Sequence, residues 1–240
     1  MPSPNRMLII RCSDDVDACE LGTVIELARS YRMSVHLEDF FTIDDAATFY
    51  ATRPQNFYDF VYLCGHGNET GFGGSGEDDD RDLDMPWPLL SWLICDTLRD
   101  ESLVFLACCK AGMNTVAYDF FIGCDLLNRV FGPNVDSEGD SILLAFHYLI
   151  YDAIVKQNTD VDRAAACATM VTQNNSVLGY RRDEVVNEPA YQTYEQSGFA
   201  DKYKKVLAAQ GGEFIEKLEN EFEGFVSAYE LDDRYVTPPV

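Results

Sequence analysis

Two short segments of this chain are apolar almost without interruption, and turn residues bound both of them. They read FYDFVYLCG at 57–65 and SLVFLACC at 102–109. A strand with one exposed face alternates apolar and polar residues, whereas a strand of a parallel sheet is covered by helices on both faces and is apolar throughout. The two segments therefore predict neighbouring central strands of a mostly parallel sheet.

The rest of the chain predicts helices and strands in alternation. Further strands are predicted at 6–12, 33–40 and 128–134, and helices at 17–32, 42–54, 86–98, 140–157 and 160–173. Thr42 is the predicted N-cap of the second helix, because threonine is a favoured capping residue. Alternation of this kind is typical of an α/β fold with helices on both faces of the sheet. We therefore expect a three-layer sandwich with a mostly parallel central sheet.

The charge of the chain restricts its partners. Its 240 residues include 41 acidic and 18 basic side chains, which gives a formal net charge of −23. A surface of this charge repels phosphate backbones, so nucleic acid is not an expected partner, while a basic peptide or protein suits it. The longest apolar stretches are too short and too polar to span a membrane, and the start of the chain lacks the features of a secretory signal. We expect a cytoplasmic protein that spans no membrane.

The eight cysteines raise the question of disulfide bonds. Most of them lie in apolar segments, where cysteine behaves as a small hydrophobic residue. The lack of a secretory signal favours a reducing compartment, in which disulfides are rare. Reduced thiols are therefore expected.

Each of the two central strands ends in a chemically active side chain. The first runs into the tripeptide Gly-His-Gly, which contains His66, and the second ends at Cys109. Neighbouring parallel strands deliver both residues to the carboxyl edge of the sheet, where ligands bind in open α/β folds. A thiol needs a base to be a good nucleophile at neutral pH, and imidazole suits that task. The glycines beside His66 leave backbone N–H groups accessible to an oxyanion.

Together the two segments resemble the signature of the caspase-like cysteine peptidases, most closely their CHAT-domain branch. In that family a strand ending in His-Gly is followed by a strand ending in a motif such as LVVLSACETG. The counterparts here are FVYLCGHG and LVFLACCKAG. The segment ILLAFHYLIYDAIVKQNTDVDRAAACATM continues the likeness, which covers roughly residues 6–178. The resemblance implies that the three-layer sandwich is caspase-like.

The resemblance also implies an activity, namely hydrolysis of a protein substrate through a thioester, without a cofactor. His66 would be the general base and acid, Cys109 the nucleophile, and the N–H groups of Gly67 and Cys109 the oxyanion donors. Prokaryotic members commonly act in antiviral defence or signalling and are activated by a partner, so an activating protein partner is expected. Relatives that cleave after Arg or Lys often carry Asp two residues before the nucleophile, where this chain has Ala107. The residue preference stays open.

The same residues allow other interpretations. A catalytically silent caspase-fold scaffold or adaptor that binds a regulatory partner could keep His66 and Cys109 without using them. Cys108 points to the opposite face from Cys109 on a strand, so it is expected to be part of the core. A metal site that combines Cys64, His66, Cys108 and Cys109 lacks the spacing of structural zinc sites, so no metal is expected.

Three remaining features are predicted to be structural or solvated. His36 lies in a strand and His147 in an apolar helix, so both are expected to have structural roles. The acidic loop 76–86 alternates aspartates but lacks the glycine and glutamate of a calcium loop, which favours a solvated loop over a site for a cation or a basic partner.

Residues 179–240 match no catalytic motif and are predicted to form an acidic helical extension. This extension is expected to pack on the domain formed by residues 1–178. One helical face of it carries four apolar residues, Phe214, Leu218, Phe222 and Phe225. A face of this kind is typical of a helix that docks on its own domain, and the alternative is a segment that binds a regulator or covers the active edge.

Overall fold

A computed structural model of the chain describes residues 5–13, 16, 18–73, 83, 85–172, 176–210, 212–222 and 224–225. The strands are β1 (Arg6–Arg11), β2 (Ser34–Asp39), β3 (Tyr58–Cys64), β4 (His66–Gly67), β5 (Gly71–Gly73), β6 (Met85–Pro86), β7 (Leu98–Ala107), β8 (Arg129–Pro133) and β9 (Val177–Arg181). Six of these strands form one sheet in the order β2-β1-β3-β7-β8-β9. All neighbours in it are parallel except β8 and β9, which are antiparallel.

Helices connect the parallel strands and extend beyond them. They are α1 (Ala18–Ser30), α2 (Ile43–Thr52), α3 (Trp87–Cys95), α4 (Asn114–Gly123), α5 (Gly139–Ile154), α6 (Val161–Thr172), α7 (Arg182–Val185), α8 (Pro189–Thr193), a π-helical turn (Tyr194–Gly198), α9 (Phe199–Gln210) and α10 (Gly212–Glu221). Thr42 caps α2, because its hydroxyl accepts from the Asp45 N–H at 3.2 Å while the Asp45 carboxylate accepts from the Thr42 N–H at 2.8 Å. The predicted N-cap is confirmed.

The sheet separates two hydrophobic cores, one on each face. Alternate side chains of β7 enter different cores: Val104 and Leu106 pack with residues of α2, α3 and α4, whereas Phe105 and Ala107 pack with residues of α1, α5 and α6. All four are at most 4% exposed, so this strand is covered on both sides. The prediction of an α/β fold with a mostly parallel central sheet and helices on both faces is confirmed.

The predicted bounds differ most in the strand that leads to the cysteine pair. β7 begins at Leu98 rather than at residue 102, and its register with β3 shifts between Tyr58 and Phe60. Glu101 lies at the irregularity with a φ of 65°, so a bulge divides the strand into two parts. The charged residues of the first part interrupt the apolar pattern, which is why the sequence indicated only the second part.

The described residues after 181 pack back on the rest of the chain. Leu218, Phe222 and Phe225 are at most 3% exposed, and Phe225 lies 5.8 Å from Trp92 of α3 between ring centroids. These three side chains are part of the same hydrophobic core as α3. Position 179, where the sequence analysis places the start of the extension, lies inside β9. None of the helices among the described residues is long and apolar enough to cross a lipid bilayer.

One expectation about the cysteines is wrong. Cys95 and Cys124 form a disulfide, with their Cα atoms 5.0 Å apart, although reduced thiols were expected throughout. Cys95 ends α3 and Cys124 follows α4, and these helices lie in close contact, since a Cβ on Gly123 would be 2.6 Å from the Pro88 carbonyl oxygen. The pairing depends on this helix contact, which the separate sequence segments do not reveal. The other described cysteines are free thiols.

Candidate active site

The two central strands end side by side. β3 and β7 are parallel neighbours, and Cys64 is in register with Ala107. His66 follows the first of these residues and Cys109 the second, so both emerge at the carboxyl edge of the sheet. His66 is exposed and Cys109 is half-buried. The structure thus brings together the two segments that the sequence predicted to meet.

Gly65 turns the chain from β3 toward His66. Its φ is 152°, and a Cβ at this position would lie 2.2 Å from Cys12 Sγ. Backbone of this kind in such a confined space requires glycine. Cys12 also donates to the carbonyl oxygen of Gly73 at 3.2 Å, which ties the end of β1 to the small sheet beyond the edge. That small antiparallel sheet consists of β4, β5 and β6, and the sequence did not predict it.

Gly67 lies directly against the residue that precedes Cys109. A Cβ on Gly67 would be 2.9 Å from Cys108 Sγ and 3.3 Å from the Trp87 ring. The Trp87 ring nitrogen Nε1 donates to the Asn68 carbonyl at 2.8 Å, which holds the same segment from the other side. The His66-Gly67 strand is therefore fixed against the end of β7.

The N–H group of Gly67 points away from the strand that pairs with it. Asn68 donates its N–H to the Gly71 carbonyl at 3.1 Å, and Gly67 is opposite Phe72 in the same ladder. Hydrogen-bonded and non-hydrogen-bonded pairs alternate in an antiparallel ladder. Gly67 and Phe72 therefore form a non-bonded pair, and the Gly67 N–H points toward the unpaired edge of the small sheet.

The two adjacent cysteines have different environments. Cys108 is 2% exposed, and burial raises the pKa of its thiol well above the ordinary value, with the neighbouring Cys109 and Cys64 acting in the same direction. A thiol of this kind is protonated and inert at neutral pH. Burial likewise raises the pKa of Cys12 and of Cys64. The expectation that Cys108 belongs to the core is confirmed.

The loop that follows Cys109 is held by backbone hydrogen bonds to the last residue of β8 and to the segment after it. The N–H groups of Lys110 and Gly112 donate to Val135 and Pro133 at 3.3 and 2.7 Å. Lys110 has a φ of 58°, and a Cβ on Gly112 would lie 2.3 Å from the Gly132 carbonyl oxygen. These contacts restrain the loop, which starts at Cys109.

The other residues considered from the sequence lie outside this edge or outside the described chain. His36 bonds through Nδ1 to the Tyr58 hydroxyl at 2.6 Å and stacks on Phe57, and His147 lies against the Tyr31 ring at 6.2 Å. Both contacts are structural, as predicted. Most of the acidic loop 76–86 lies outside the described residues. Within the described part of the chain, no group of three or more His, Cys, Asp or Glu side chains is arranged to hold a metal ion.

Comparison with known proteins does not assign this chain to a family. Neither the models of protein families nor the curated proteins contain a match to this chain. The function is therefore inferred from the residues of the site.

The contact between Gly67 and Cys108 leads to a prediction. In Gly67→Ala the added methyl group lies too close to Cys108 for the strand to keep its place, so His66 moves relative to Cys109. We expect the rate of Cys109 alkylation by iodoacetamide to fall about tenfold, since small displacements in a reactive site have large kinetic effects. Gly22→Ala is the control, because nothing lies within 4 Å of the Cβ position at Gly22. An unchanged rate in Gly67→Ala would show that the contact between Gly67 and Cys108 does not set the position of His66 relative to Cys109.

Proposed function

We propose that the chain is a caspase-like cysteine endopeptidase of the CHAT-domain kind, which hydrolyses a protein substrate through a Cys109–His66 dyad. The observation that carries the proposal is the register of β3 and β7, which sets the His66-Gly67 segment beside the Cys108-Cys109 segment. The mostly parallel sheet with helices on both faces is the architecture that the resemblance implies.

In this proposal three residues, His66, Gly67 and Cys109, carry out the reaction. His66 takes the thiol proton of Cys109, and the sulfur attacks the carbonyl carbon of the scissile peptide bond. The N–H groups of Gly67 and Cys109 bind the oxyanion of the tetrahedral intermediate. The proton on His66 then passes to the leaving amine, which leaves a thioester. A water molecule, with His66 again as the base, hydrolyses the thioester and restores the thiol.

The local environment supports Cys109 rather than Cys108 as the nucleophile. Cys109 is partly exposed, whereas Cys108 is buried beneath Gly67 with a raised pKa. The surface charge of −23 favours approach of a basic segment of the substrate or of the activating partner. We propose a role in a prokaryotic defence or signalling system in which a protein partner activates the cleavage.

The proposed activity can be tested with a whole-cell extract as the source of substrate and partner. Wild type and Cys109→Ala are incubated with it, and new protein N-termini are identified by mass spectrometry. We expect termini that appear with wild type and are absent with Cys109→Ala. Cys167→Ala, which alters another half-buried cysteine, is expected to retain them. Identical termini from wild type and Cys109→Ala would contradict the proposal, and a partner that binds both without cleavage would favour a scaffold.

A further inference from the structure

The hydroxyl group of Tyr180 contacts the loop that carries Cys109. It lies 2.9 Å from the carbonyl oxygen of Gly112 and 2.6 Å from Oδ1 of Asn114. Both acceptors belong to the turn that leads from the nucleophile into α4, so one phenol proton serves two groups of the same turn. Tyr180 itself is on β9, far from this turn in the sequence.

Tyr180 is rigidly placed to make these contacts. In the β8–β9 ladder it is opposite Val130, and two residues later Arg182 donates to the carbonyl oxygens of Phe121 and Cys124, each at 2.7 Å. The tyrosine is thus fixed by the sheet on one side and by the end of α4 on the other. Burial raises the pKa of its hydroxyl to about 12, with Tyr118 and Glu188 acting in the same direction, so it is a donor at neutral pH.

The turn needs this contact because the backbone hydrogen bonds that anchor it to Pro133 and Val135 use its N–H groups and not its carbonyl groups. The N–H groups of Lys110 and Gly112 bond to Val135 and to Pro133, whereas the Gly112 carbonyl accepts from the Tyr180 hydroxyl. Without a donor that carbonyl would lose its hydrogen bond and the peptide unit could rotate. Lys110, in the left-handed region, would relax with it, and the orientation of the adjacent Cys109 would change.

We propose that Tyr180 is a positioning residue whose hydroxyl fixes the turn from Cys109 to Asn114 and so holds the thiol of Cys109 toward His66. This inference depends on the proposed dyad. It also assigns the antiparallel edge strand a part in the reaction, because the tyrosine reaches the site only through the pairing of β9 with β8.

The test uses the full chain and two measurements. The first is the rate of Cys109 alkylation by iodoacetamide, in Tyr180→Phe and in the same variant combined with His66→Ala. We expect Tyr180→Phe to lower the rate about tenfold when His66 is present and to have less than about a twofold effect when it is absent, because positioning matters only while the base is there. Tyr148→Phe, which loses a hydroxyl contact to Asp152 at 3.4 Å on the other face of the sheet, is the control.

The second measurement is hydrogen exchange of the Lys110 and Gly112 amides, which we expect to be at least about tenfold faster in Tyr180→Phe. Unchanged exchange overturns the positioning role, as does an alkylation rate equal to that of wild type or an equal loss with and without His66. If His66→Ala alone alkylates as fast as wild type, the proposed dyad fails instead. The exchange rates then decide whether Tyr180 holds the turn.

Discussion

Replacement of His66 by alanine is expected to lower the rate at which iodoacetamide modifies Cys109 by roughly 100-fold at neutral pH. A positioned base contributes about this factor to the activation of a nucleophile. The reagent is small and uncharged, so the measurement reports the reactivity of the thiol and needs no substrate or activating partner. Modification at each cysteine is followed by peptide mass spectrometry.

The controls separate this effect from general exposure. His147→Ala removes another exposed imidazole, which lies on α5, and is expected to leave the rate unchanged. Cys19 is exposed and serves as the internal reference for an accessible thiol outside the site. If Cys109 reacts no faster than Cys19, or if His66→Ala equals wild type, the two residues do not form a catalytic pair and the scaffold interpretation gains support.

The parts of this site that the sequence predicted are those that depend on adjacent residues. β3 and β7 are buried on both faces, so they appear as continuous apolar runs, and the residues that follow them had to emerge at one edge. Gly67 and Cys108 then needed only the parallel pairing of the two strands to be placed in contact. For this reason the amino-acid sequence by itself predicts His66 and Cys109 at neighbouring strand ends.

The parts that were missed depend on residues far apart in the chain. β9 is short, only half-buried and antiparallel, so it lacks both the apolar run of a central strand and a clear alternation. Tyr180 reaches Gly112 only because β9 pairs with β8. The Cys95–Cys124 disulfide likewise needs the packing of α3 on α4. No local pattern carries information about contacts of this kind.

The contacts of Asp119 also join distant parts of the chain and were not predicted. The sequence shows only that Asp119 is a polar residue inside an apolar helix. It is fully buried in α4, and its carboxylate accepts from the hydroxyl of Tyr194 at 2.5 Å, from Lys202 Nζ at 2.7 Å and from the hydroxyl of Tyr203. The three donors come from the π-helical turn and α9. This cluster therefore fastens the C-terminal helices to the helix that follows the nucleophile loop.

Asp119→Ala is expected to lower the free energy of unfolding by about 4 kcal/mol at pH 7, since it leaves Lys202, which is only 18% exposed, without its counter-charge in a buried site. Chemical denaturation measures this loss. The double variant Asp119→Leu with Lys202→Met removes both charges and is expected to recover a large part of the stability. If the loss of stability in the double variant equals the sum of the losses in Asp119→Leu and in Lys202→Met, the buried ion pair is not the cause.

The same carboxylate should make stability depend on pH in a defined window. Burial raises the pKa of Asp119 from its ordinary value of 3.8 to about 6, and the three donors only partly oppose that rise. The folded chain then binds the proton more tightly than the unfolded chain between these two values. The stability that protonated Asp119 contributes is complete below about pH 4 and is lost as the pH rises to about 6.

Asp119→Asn isolates this contribution, because every other titrating group is common to both chains. The free energy of unfolding of wild type minus that of Asp119→Asn is expected to fall by about 2.4 kcal/mol from pH 4 to pH 7. A difference that stays constant over this range would show that the pKa of Asp119 is not raised. A fall would show that the ionised carboxylate is the costlier form of Asp119 in this buried site, and that Lys202 and the two tyrosines offset only part of its desolvation at neutral pH.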